Sequence, residues 1–275
     1  MASDSPTVLL VGSGSLLGGA VLAAAQNDIA ITSVSHDRFD VGMVRDHDVV
    51  INMAYDPRYM REAYDPALDF DRRVAQAVAE QGGRFVMLST RKVYGEGPGG
   101  KGHETPIGED SDCRPTGAYG RNKLETEAAV RALLGDRATI LRLANVFGFE
   151  PGRHTFFGIA LGTLKRLGRI ELDSNPFVKK DFIPLPDCAR AILSAIRHTP
   201  SGTFNLGYGT ATEIGRIAMW LIEGFGGGEL LISSAEERDS FLLDIRRLEA
   251  LGILPERRMP IRQCCVEIGE RLRNA

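Results

Sequence analysis

Short apolar runs rich in β-branched residues recur along this chain with helix-length segments between them, and that alternation restricts the fold more than any other feature. The runs at 7–11, 29–34, 49–53, 85–88 and 139–143 carry little of the polar/apolar alternation of a half-exposed strand, so they read as strands buried on both faces. Between them, helical spacing predicts helices at 16–26, 66–81 and 118–134. Buried strands alternating with helices define an α/β protein with a doubly wound parallel sheet, in which ligands bind at the carboxyl ends of the strands.

The 275 residues suit one large domain, or a core with a small C-terminal lobe, and 43% hydrophobic with 25% charged residues is ordinary globular composition. A net charge of −3 offers no basic footprint, so no nucleic-acid partner is expected. The apolar stretch from Val8 to Ala25 superficially resembles a secretory signal. Asp4 precedes it, no Lys or Arg occurs before Arg38, and glycines interrupt it, which favours a strand, a turn and a helix. No continuous apolar window is long enough to span a membrane. Cys113, Cys188, Cys264 and Cys265 lack ligand or framework spacing, which points to cytoplasmic thiols. The five scattered histidines form no helical pair, so no metal site is expected.

Gly12-Ser13-Gly14-Ser15-Leu16-Leu17-Gly18 follows the first strand and opens the first helix. A glycine turn in that position lets a pyrophosphate approach the helix N-terminus, which marks Gly12, Ser15, Leu16 and Gly18 as candidate cofactor residues. Ser15 stands where a middle glycine could, offering its hydroxyl or only its N–H. The second strand ends near Asp37 and Arg38. An acidic group there suits the ribose of NAD and a cation the extra phosphate of NADP, so the cofactor expected is NAD or NADP.

Tyr119 and Lys123 lie four residues apart, on one helix face. An ammonium beside a phenol favours the phenolate and lowers its pKa. The Thr90 hydroxyl, at the end of the fourth strand, could bind a substrate oxygen while Tyr119 exchanges its proton. Thr90, Tyr119 and Lys123 are therefore the candidate catalytic residues of a carbonyl/alcohol redox site. The plain alternative makes Tyr119 a half-buried helix residue and Thr90 a turn former.

The segments 88–95, 119–123, 141–148 and 180–187, which include Leu88-Ser89-Thr90 and Lys180-Asp181-Phe182-Ile183, resemble in order the motifs of the extended short-chain dehydrogenase/reductase family, specifically its NAD-dependent epimerase/dehydratase group acting on nucleotide sugars. The resemblance implies a Rossmann domain over 1–150 and a smaller substrate lobe over 151–275, with about 181–200 returning to the core. It implies that Asn52, Met53 and Ala54 line the cofactor, that Lys123 binds the nicotinamide ribose, and that Thr90, Arg91, Asn145, Phe177 and Lys180 face a nucleoside-diphosphate sugar. A homodimer is also implied. Two departures stand out. Sugar-nucleotide dehydratases carry an Asp-Glu pair after the threonine, whereas this chain has Arg91-Lys92, and a guanidinium cannot serve as the base of an elimination. The helix around Asp71-Arg72-Arg73 lacks the family's usual asparagine, which leaves open how the catalytic strand end is braced.

The long connection 95–117, rich in Gly, Pro, Asp and Glu, is expected to form a flap beside the site. The leading expectation is reduction of a keto group on a nucleotide-activated deoxysugar, and the runner-up is nucleotide-sugar epimerisation on a tightly held NAD. A non-catalytic dinucleotide sensor on the same fold could dispense with the acid/base pair, so Thr90, Tyr119 and Lys123 together argue against it.

Overall fold

The computed structural model describes residues 5–25, 29–96, 105–236, 238 and 240–275. From the N-terminus run β1 (Val8–Val11), α1 (Leu16–Ala25), β2 (Ile31–Val34), β3 (Val49–Asn52), α2 (Phe70–Gln81), β4 (Arg84–Thr90), the two-residue β5 (Pro106–Ile107), α3 (Ala118–Leu134) and β6 (Ala138–Leu143). The second half adds β7 (Asn145–Phe147), α4 (Phe156–Leu167), β8 (Arg169–Leu172), β9 (Lys179–Pro184), α5 (Leu185–His198) and β10 (Gly202–Leu206). Then follow β11 (Ala211–Glu213), α6 (Ile214–Phe225), β12 (Glu229–Ile232), β13 (Leu242–Leu243), α7 (Arg246–Ala250) and α8 (Ile261–Asn274).

Six strands form one parallel sheet in the order β10-β6-β4-β3-β1-β2. Alternate residues of each strand enter opposite cores. Leu9, Val50, Phe85, Met87 and Ile140 pack with Val74, Val78 and Val130 of α2 and α3. Leu10, Ile51, Val86, Leu88 and Leu141 pack with Val21 of α1 and Ile192 and Ile196 of α5. Burial on both faces is why these strands read as unbroken apolar runs. The chain passes from β1 outward to β2 and returns to β3 on the other side of β1, so the strand order reverses between β1 and β3. Their carboxyl ends flank the crevice where such sheets take ligands.

Helix boundaries follow their caps. Asp69 accepts from Arg72 N at 3.0 Å and starts α2 at Phe70, while the segment before it turns through Ala67 N donating to Asp65 Oδ1 and Leu68 N to Asp65 O. The expected start at Pro66 is therefore a turn. Likewise Ile29 is buried but precedes β2, which begins at Ile31. Thr155 caps α4 through Gly158 N, and Gly168 ends it in the left-handed region at φ 66°.

The remaining strands make small sheets. β7, β9 and β11 form one, β8 pairs with β12, and β5 pairs with β13. Of the expected flap, residues 97–104 lie outside the described residues. Its later part is tied down, with Ile107 buried and its carbonyl accepting from Asn205 Nδ2 at 2.8 Å. Among the described residues no helix is long and apolar enough to cross a membrane.

Candidate active site

The β1–α1 turn is built for close backbone approach. Gly12 sits at φ +89°, and a Cβ there would lie 2.7 Å from Ala54 N and 2.8 Å from Met53 C. Only glycine fits both the dihedral and the gap. The Ser15 hydroxyl oxygen accepts from Gly18 N at 2.9 Å, so Ser15 acts as the N-cap of α1. Its oxygen thereby holds the helix start. Asp37 and Arg38 both lie exposed on a short 3-10 turn beyond β2. A hydrogen bond from Ser35 holds the Asp37 carboxyl below its usual range.

Lys123 is buried, and its Nζ donates to Asp71 Oδ2 at 2.6 Å and to Leu88 O at 2.8 Å. Asn52 Nδ2 donates to Asp71 Oδ1 at 2.8 Å, and Asn52 also exchanges hydrogen bonds with the Ala54 backbone at 3.0 Å. The Asp71–Lys123 pair thus ties the ends of β3 and β4 to α2 and α3. Sequence reasoning missed Asp71. It noted only an absent asparagine, and no local spacing signals a side chain that acts across three elements. Asn52, expected to line the cofactor, is buried and turned to this brace, while Met53 is buried and Ala54 half-buried at the crevice. Burial alone would lower the Lys123 ammonium's pKa, but Asp71 reverses this and holds it above its ordinary value.

Tyr119 is half-buried, with its ring edge-to-face on Tyr59 at 6.5 Å and the Lys92 ammonium 5.9 Å from its centroid. Burial raises its phenol pKa. Lys123 pulls it down and Asp71 pushes it back up. The net direction is the opposite of that expected from a Tyr/Lys pair alone, because desolvation of the phenolate outweighs an ammonium already matched by a carboxylate. A Cβ on Gly120 would stand 2.5 Å from Lys92 O. The absent side chain lets α3 lie directly on the 3-10 turn Arg91–Tyr94 that follows β4. Thr90 begins that turn, half-buried, and its Oγ1 accepts from Lys92 N at 3.3 Å, which leaves its O–H able to donate.

A cavity of about 640 Å³ opens beside these elements, and Arg91, Tyr119, Asn145 and Lys180 all line it, together with Lys92, Gly120, Glu236 and Arg238. Four residues marked in the sequence therefore meet around one space. Thr90 is adjacent through Arg91 but does not line it. Phe177 stands apart, 70% exposed. Arg91 stacks its guanidinium over the Phe241 ring at 3.9 Å, so its aim is fixed by a residue of the C-terminal segment.

Beneath the site, Glu127 is fully buried and accepts from Ser89 Oγ at 2.6 Å and from Arg142 Nε and Nη2 at 3.0 and 2.7 Å. Arg142 Nη1 reaches Tyr94 OH at 2.9 Å, and Tyr94 OH donates to Asn205 Oδ1 at 2.7 Å. This chain of bonds locks the end of β4, the following turn, β6 and β10 in one register. Among the described residues no cluster of His, Cys, Asp and Glu is arranged to hold a metal ion.

The model of the NAD dependent epimerase/dehydratase family matches residues 23–207, and the chain belongs to this family. Among curated relatives, it is 28% identical over 208 residues to a dTDP-4-dehydrorhamnose reductase of Mycobacterium tuberculosis, covering 70% of this chain and 67% of that protein. It is 26% identical over 275 aligned positions to a UDP-glucose 4-epimerase of Azospirillum brasilense, covering 80% and 77%. Among solved structures, that of RMD from Pseudomonas aeruginosa complexed with NADPH superposes with a TM-score of 0.77 at 25% identity, over 98% of this chain and 99% of that one.

Proposed function

We propose that this chain reduces a keto group on a nucleotide-activated deoxysugar with NADH or NADPH. The observation that carries the reading is the meeting of Arg91, Tyr119, Asn145 and Lys180 around one cavity beside the braced Lys123. The β1–α1 turn fits a dinucleotide, because the absent Gly12 side chain leaves backbone against backbone at the crevice and the capped α1 directs N–H groups into it. When bound, the nicotinamide supplies the hydride. In this reading Tyr119 delivers a proton to the carbonyl oxygen, and the Thr90 hydroxyl hydrogen-bonds that oxygen. Lys123 has two of its three donors engaged by Asp71 and Leu88 and offers the third to the nicotinamide ribose. Arg91, Lys180 and Arg238 bring positive charge to the cavity that would hold a diphosphate. Arg91-Lys92 in place of a carboxyl pair argues against elimination.

Epimerisation is the second reading, supported by the likeness to a UDP-glucose 4-epimerase over 80% of the chain. The two differ in cofactor balance. Incubating the purified chain with NADH or NADPH and a nucleotide-linked ketodeoxysugar should oxidise the cofactor stoichiometrically, and Tyr119→Phe should lower the rate by about 10²-fold or more. Sugar turnover without net cofactor oxidation would replace reduction by epimerisation. An unchanged rate in Tyr119→Phe would remove the catalytic assignment.

A further inference from the structure

The cavity beside Tyr119 is lined by the cations Arg91, Lys92, Lys180 and Arg238 and by the carboxylates Glu96 and Glu236. Cations prevail on its wall, which suits an anion. Two of them are set by one residue of the C-terminal segment. Phe241 lies buried immediately before β13, and its backbone is clamped to β9: its N–H donates to Lys179 O at 3.1 Å and its carbonyl accepts from Asp181 N at 3.0 Å. Lys180, between those two residues, is thereby paired in register with Phe241. The Asp181 carboxylate tightens the clamp by accepting from Leu243 N at 3.3 Å. The ring then carries the Arg91 guanidinium at 3.9 Å from its centroid. A guanidinium lying on an aromatic face is attracted by the ring's quadrupole, while its N–H donors point outward in its own plane. Ordering so rotamer-rich a side chain only when a ligand arrives would cost affinity, and a ring that orders it beforehand removes that cost.

We propose that Phe241 is a positioning residue for substrate binding: its ring orders Arg91 in advance against the diphosphate of the nucleotide sugar, while its backbone places Lys180. This deepens the nucleotide-sugar reading and rests on it. A ring that merely filled the core could give way to leucine without consequence for Arg91.

The test is a double-mutant cycle on the full chain, read by titration calorimetry with dTDP and with UDP as probes. Phe241→Leu keeps apolar volume and the backbone clamp, and should weaken the tighter-binding diphosphate by about three- to thirtyfold. Arg91→Met should weaken it at least as much. Adding Phe241→Leu to Arg91→Met should then cost less than about twofold more, because the ring has no cation left to order. Lys180→Met, whose site the backbone sets, should multiply with Phe241→Leu. In ketosugar reduction Phe241→Leu should raise KM while kcat changes by less than about twofold. Unchanged affinity in Phe241→Leu, or an equal loss on the Arg91→Met background, makes Phe241 a core residue and overturns the proposal. Failure of both diphosphates to bind the unaltered chain overturns it too. If Phe241→Leu does not fold, Arg91→Lys decides, since it keeps the charge and gives up the flat face. Binding weakened at least about threefold upholds the role of the ring, and a smaller change refutes it. A chain that reduces no ketosugar but gives the expected cycle would sink the proposed reaction and leave the role of Phe241 intact. Reduction with unchanged affinity in Phe241→Leu would do the reverse.

Discussion

Glu127 offers the sharpest test of how the site is supported. Its carboxylate is fully buried and matches Arg142, whose side chain is only 5% exposed, through two hydrogen bonds, while also accepting from Ser89. Arg131 contributes less, being 43% exposed at 3.2 Å, where solvent screens the pair. Glu127→Ala leaves the buried guanidinium with neutral partners such as Tyr94 OH and the Glu109 carbonyl but without the carboxylate that matches its charge. Breaking such a pair costs about 3–5 kcal/mol. That is a large part of the about 5–15 kcal/mol by which domains are stable. Urea unfolding followed by circular dichroism should register this loss as a lower midpoint at unchanged slope, with melting lowered by roughly 10 °C. Glu127→Gln keeps the shape and an acceptor for Ser89 and should lose less. Glu127→Leu with Arg142→Met, which removes both charges, should be less damaging than Glu127→Ala. A loss below about 1 kcal/mol in Glu127→Ala would show that water or Tyr94 compensates Arg142, and the reasoning from buried charge would fail.

Two further outcomes follow from the geometry. Gly12→Ala, at φ +89° and 2.7 Å from Ala54 N, should weaken NADH or NADPH binding at least about tenfold in a fluorescence titration, since left-handed strain of about 1–2 kcal/mol and a backbone clash act at the same point. Burial pushes the Asp181 carboxyl up to about 7 despite bonds from the backbone N–H groups of Tyr208, Gly209 and Leu243. A carboxyl raised in the folded state stabilises below its unfolded pKa and loses that contribution as pH rises through the folded value. Unfolding free energy should therefore decline from about pH 4 to about pH 7, and Asp181→Asn should flatten that decline.

The parallel sheet and most helices were legible because burial on both faces leaves a periodicity that composition cannot disguise. α3 begins and ends where its spacing places it, at Ala118 and Leu134. α2 was misjudged at its start because a proline-containing turn imitates a helical first turn until the Asp69 cap is recognised. β5 and β13, two residues each and paired across more than a hundred positions, carry no local pattern. The site divides in the same way. Tyr119 and Lys123 declare themselves by helical spacing, and the Gly12 turn by its place after a strand. The brace does not, since Asp71 and Leu88 meet Lys123, and Asn52 meets Asp71, from three separate elements. Gly120 is a close-packing residue that looks like an incidental glycine between Tyr119 and Arg121 until its missing Cβ is measured against Lys92.

The position of β10 bears on how this chain is made. It lies at the sheet's border beside β6, yet some sixty residues of sequence separate the two strands. While a ribosome synthesises those residues, the hydrogen-bonding groups along β6 stay open and invite pairing with any neighbouring polypeptide. Until β10 pairs, the six-residue strand β6 is the open edge; afterwards the five-residue strand β10 takes that place.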